Sequence, residues 1–81
     1  MSYTEQARQY ILNKFKEAKE SGQKYIELTS KEIHADLGFS NRYPIVCNAM
    51  QQLKADKDEY ISTTLSGQSS TITIRYMIEN K

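Results

Sequence analysis

The chain has 81 residues, with 11 Lys and Arg against 10 Asp and Glu, a net charge of +1 and one cysteine. That length allows one small domain, residues 1–81, which buries roughly 60–65% of its unfolded surface and has no room for a second core. Cys47 alone excludes an internal disulfide and cannot build a metal site by itself. The opening residues, Met1 to Glu20, hold no signal-like apolar run, and no segment approaches the ~20 apolar residues that span a bilayer. A soluble, cytoplasmic protein without a membrane partner is therefore expected.

Residues 3 to 20 predict an amphipathic helix, because Tyr3, Ala7, Tyr10, Ile11, Lys14, Phe15 and Ala18 follow helical spacing along one face. Ser21-Gly22 supplies the stop, glycine taking the left-handed conformation that ends helices. Residues 24 to 29, KYIELT, alternate as a strand with Ile26 and Leu28 on one side. TSKE at 29 to 32 has the capping-box pattern, in which Thr29 and Glu32 satisfy each other's free N–H groups. A short helix then carries Ile33 and Leu37 inward and ends at Gly38. A third helix is expected from about Arg42 or Pro44 to Ala55, with Ile45, Val46, Ala49, Met50 and Leu53 as its apolar stripe. After the charged turn DKDE come two β-rich runs, YISTTL and TITIRYMI, joined by the polar link SGQSS as a hairpin. The second alternates Ile72, Ile74, Tyr76 and Ile78 with Thr71, Thr73, Arg75 and Met77.

A net charge of +1 gives no support for a polyanionic partner, but its distribution does. No acid lies between Leu37 and Ala55 or between Tyr60 and Ile78, and those windows carry Arg42, Lys54 and Arg75. At ~100° per residue the side of the third helix opposite the apolar stripe carries Ser40, Pro44, Cys47, Asn48, Gln51 and Ala55, with Lys54 at its edge. Asn and Gln can pair bidentately with adenine, and arginine with guanine or phosphate.

The order helix-strand-helix-helix-strand-strand, with a tight turn between the second and third helices, resembles the winged helix-turn-helix family. The likeness rests on Ile33, Leu37, Gly38, Phe39 and Ser40, followed by Val46, Ala49, Met50 and Leu53. IHADLGFS…PIVCNAMQQL is similar to regulators in which LG-x-S joins the helices and the second of them reads V-x-x-A-L-x-x-L. This chain departs by about two extra residues, within Asn41 to Tyr43. The resemblance implies an α+β fold with a three-stranded antiparallel sheet, a third helix in the major groove and the hairpin at 60 to 78 as wing. It implies a duplex-DNA-binding protein, such as a small transcriptional or plasmid/phage regulator, with no cofactor. Expected phosphate contacts come from Ser40, Arg42, Tyr43, Lys54 and the wing residues Ser66 to Ser70, Gln68 and Ser69 among them, and base contacts from Asn48 and Gln51, with Asn41 a further DNA-binding residue of the turn. The alternatives are a winged-helix protein–protein module or a DNA-targeting subunit of a restriction or replication complex. A homodimer is open.

Plainer roles stand beside these. Arg42 can pair with Asp36 instead of DNA, and Lys54 with Asp58 at i+4. Arg75 reads as wing-root surface. His34 has no second histidine to complete a metal set and is expected partly exposed on its short helix. Cys47 is expected as an unremarkable thiol on the polar face, and the six tyrosines mostly in core and sheet. No paired carboxylates, phosphate loop or nucleophile motif appears, so no enzyme is expected.

Overall fold

The structure, a computed structural model, describes residues 2–66 and 69–81, without the side chains of 62–71 and of Asn80. Among them, α1 (Tyr3–Glu20), α2 (Ser30–Leu37) and α3 (Tyr43–Gln52) combine with β1 (Tyr25–Thr29), β2 (Glu59–Ser66) and β3 (Ser69–Met77), and a 3-10 turn covers Ile78–Asn80. The fold is α+β. The sheet is antiparallel in the order β1-β3-β2, so the last strand made is the central one.

The helical periodicity of α1 holds: Ala7, Ile11, Phe15 and Ala18 are its buried residues. Ser2 caps its start, its hydroxyl accepting from Glu5 N–H at 3.1 Å. Ser21 closes its end, and Gly22 takes the left-handed conformation at φ +72°. Gly38 does the same for α2 at φ +69°, a conformation that costs an L-residue with a Cβ roughly 1–2 kcal/mol. The alternation in β3 also holds, with Ile72, Ile74, Tyr76 and Ile78 buried against the helices. Tyr76 stands at the centre of this layer. Its ring lies 4.8 Å from that of Phe15, and its hydroxyl donates to Met50 O at 2.8 Å.

Three local expectations fail for physical reasons. Thr29 occupies the N-cap of α2 but makes no side-chain cap bond; its hydroxyl shares a hydrogen bond with Thr73 Oγ1 at 3.1 Å across the β1–β3 ladder. The third helix ends at Gln52 instead of Ala55, because Lys54 N–H turns to Gln51 O and Ala55 N–H goes to the Asp58 carboxylate. The polar link contracts, since pairing continues to Ser66↔Ser69. The tyrosines do fall mostly in core and sheet: Tyr25, Tyr60 and Tyr76 lie on β1, β2 and β3 and Tyr10 packs against the core, with Tyr76 alone fully buried.

Asp58 is not a surface acid of a charged turn. It is buried and accepts from Ala55 N–H at 2.8 Å, Met77 N–H at 2.7 Å and Lys81 Nζ at 2.7 Å. Burial works to push its carboxyl up, but Lys81 and the two amides outweigh burial and hold it below the usual carboxylate range. The expected pairing of Lys54 with Asp58 is thereby overturned.

Candidate nucleic-acid interface

The turn between α2 and α3 is built around His34, which is buried instead of partly exposed. Its Nε2 accepts from Arg42 N–H at 3.1 Å, and its ring stacks on Tyr43 at 4.0 Å and 12°. Asn41 takes φ +54°, the left-handed region that asparagine tolerates better than most residues. Together these two features absorb the extra length of the turn and deliver Arg42 to the N-cap of α3. Pro44 falls in the first helical turn, where no backbone N–H partner is missed.

This placement sets the rotation of α3. Val46, Cys47, Ala49 and Met50 are buried, a face wider than one stripe because α1, α2 and β3 all pack against this helix. The expectation that Cys47 projects outward is therefore wrong. It lies at the edge of the buried face beside Ser30, whose hydroxyl hydrogen-bonds it, and burial pushes its thiol up despite that bond. Ser30 is itself fully buried and accepts from Ile72 N–H at 3.0 Å.

What remains outside is polar. Ser40, Asn41, Arg42, Pro44, Asn48, Gln51 and Gln52 are exposed, Tyr43 is half-buried against His34, and Lys54 is half-buried just past the helix. Asn48 and Gln51 stand three residues apart and so share one face. Gln52 extends that face. Helical rotation alone does not set it directly opposite the apolar stripe, and its only signal in the sequence is the Gln51-Gln52 doublet. Of the expected wing residues, Ser66 and Ser69 form the last pair of the β2–β3 ladder, and Gln68 lies outside the described residues.

The cations divide into two groups. Arg75 donates from Nε and Nη2 to Glu27 Oε2 at 2.9 and 2.8 Å, because the ladder sets Glu27 directly opposite it. The acid-free window around Arg75 in sequence is thus not acid-free in space. Arg42 is different. Asp36 does not pair with it, since that carboxylate accepts from Tyr10 instead; burial and this bond raise the Tyr10 phenol to about 12. No salt bridge among the described residues involves Arg42, and its guanidinium lies 4.3 Å over the ring of Tyr3. Tyr3 is held in turn by edge contact with Phe39 at 5.1 Å. Lys54 Nζ lies 5.1 Å over the Tyr60 ring. The α3 face therefore has a cation at each end, Arg42 and Lys54, each resting on a π surface and neither paired with a carboxylate, Lys54 Nζ also donating to Ala55 O at 3.4 Å. Nothing in the sequence pointed to Tyr3, 39 residues before Arg42, as the platform.

Among the described residues no helix is long and apolar enough to cross a membrane, and no group of His, Cys, Asp and Glu is arranged to hold a metal ion. No protein-family model, curated protein or solved structure matches the chain.

Proposed function

We propose that this chain is a winged-helix module that binds duplex DNA, with α3 in the major groove and the β2–β3 hairpin as wing. The observation that carries the reading is the solvent face of α3. It offers Asn48, Gln51 and Gln52, is interrupted by no carboxylate, and is flanked by Arg42 and Lys54, neither of which is held by an acid. The strand order β1-β3-β2 and the helix-turn-helix succession of α2 and α3 are those a winged helix requires. Amides near the middle of the helix suit base edges, and cations at its ends suit the phosphates along the groove walls. The role that fits is a small transcriptional or plasmid/phage regulator in the cytoplasm, acting alone, as a homodimer or within a larger complex.

Titration of mixed duplex DNA at two salt concentrations tests this. Binding on the order of micromolar at ~50 mM salt, weakening steeply as salt rises, is the expected result. A site enriched from a random pool then separates reading from holding. Gln51→Ala should cost about 1–3 kcal/mol on that site, almost nothing on random DNA, and leave the salt slope in place. Absence of any shift at low salt removes the DNA reading in favour of protein–protein contact, for which exposed Tyr60 and Ile61 on β2 would be the natural surface.

A further inference from the structure

β1 is an edge strand, and the hydrogen-bond parity of β3 fixes which of its backbone groups are turned outward. Ile78 N–H donates to Lys24 O and Ile72 N–H to Ser30 Oγ, whereas Met77 N–H points the other way, to Asp58. The even-numbered residues of β3 thus bond toward β1. Ile26 lies opposite Tyr76 and Leu28 opposite Ile74, so these two make the β1 side of the ladder. Tyr25 and Glu27 therefore direct their N–H and C=O groups to the side where, among the described residues, no further strand lies. A row of such groups is a template for another chain.

That free edge opens onto a groove of about 380 Å³ between α1, β1 and α2. Ala18, Ile26 and Leu28 supply its apolar lining, and Glu17, Glu32 and Asp36 line it as well. Among the described residues Lys14 is the one cation lining it, and it reaches Glu17 only at 4.0 Å. Glu32 has no ion-pair partner among the described residues.

We propose that the free edge of β1 and this groove form a docking site for an extended, basic peptide segment of a partner protein, added to the sheet as a further strand. Backbone bonds to Tyr25 and Glu27 supply the attachment, and the groove supplies the selectivity. Every second side chain of the added strand faces the groove. Lysine or arginine at those positions lays its methylene stem over Ala18 and Ile26 and brings its charge to Glu17, Glu32 and Asp36. A second copy of this chain is a poorer occupant, because pairing β1 with β1 would bring two acid-lined grooves together. The inference does not rest on the DNA reading, since β1 contributes nothing to the α3 face.

The test pans a random library of peptides about six residues long, the length of a typical strand, against the folded protein. Enriched peptides should carry lysine or arginine at alternate positions and shift the backbone amide resonances of Tyr25 to Leu28. N-methylation of the alternate amides that would face β1 should weaken the enriched peptide about tenfold or more with its charge unchanged. Tyr25→Pro should abolish binding while sparing the β1–β3 ladder, because the N–H it removes points away from β3. The proposal is overturned if no peptide enriches, if enriched peptides are not basic, if their shifts map elsewhere, or if N-methylation changes nothing. It is equally overturned if folded Tyr25→Pro still binds, and the N-methylated peptide decides should that variant fail to fold.

Discussion

Two corners of this molecule treat charge in opposite ways. Where α3 leads into β2, Asp58 is 3% exposed and collects two backbone amides and the Lys81 ammonium. Where α2 leads into α3, Arg42 is exposed and touches a ring instead of an acid. The first charge has been taken out of water, and three donors offset that cost by fastening the turn to the end of β3. The second keeps most of its hydration and its field, so it contributes little to folding and remains available to a ligand. A sequence-level charge count treats the two alike, yet one is tied into the fold and the other is left for the recognition role proposed above.

The largest expected effect lies at the buried corner. Asp58→Ala leaves two amides and an ammonium without their acceptor and should destabilise the fold by about 3 kcal/mol, read as a lowered denaturation midpoint. The carboxyl is held below its usual range in the folded state, so its contribution is fully present above the unfolded value. It is lost as pH falls through the lower folded value. Acid titration of stability should therefore be steeper for the wild type than for Asp58→Asn. Equal slopes would mean that Asp58 is not the ionised hub described above.

At the exposed corner the effects should move to binding. Arg42→Ala and Lys54→Ala should each change stability by no more than about 0.5 kcal/mol. Each should weaken all DNA alike and reduce the salt slope by roughly one unit. If either variant instead unfolds the protein while leaving the salt slope intact, the contrast between the corners collapses. The smallest effect is expected at Tyr3. Tyr3→Leu removes the π surface and should reproduce part of the Arg42→Ala loss, about 0.5–1 kcal/mol, while Tyr3→Phe keeps the ring and should bind as wild type. Identical binding by all three would show that Arg42 needs no platform.

The elements that were legible in the sequence are those whose cause is local. Ala7, Ile11, Phe15 and Ala18 announce α1 because one face of one helix is all they require, and Gly22 and Gly38 mark stops because few other residues take a positive φ cheaply. β3 was legible from its period of two. The misreadings are at residues whose partners are distant. Thr29 matches a local capping motif, yet Thr73 wins its hydroxyl. Cys47 lies beyond a single helical stripe, and only the joint packing of α1, α2 and β3 buries it. Arg75 appears to stand clear of acids until the strand register sets Glu27 against it. For the candidate site, Asn48 and Gln51 were readable from helical rotation. The roles of His34, which anchors the turn, and Tyr3, which carries Arg42, exist only once three helices converge.

The central position of β3 also bears on how the chain acquires its structure. Glu27 and Arg75 are 48 residues apart and face each other, so β1 emerges early and has no neighbour on either side until β3 has formed. Until that long loop closes, Ile26 and Leu28 sit on a lone strand and the helices lack the layer that Ile72, Ile74 and Tyr76 provide. Closure of non-local pairs is the slow event in small domains. Folding here should thus be delayed toward its final step, and a chain interrupted before Ser69 would forfeit the whole domain, where a meander of sequentially paired strands would only be shortened.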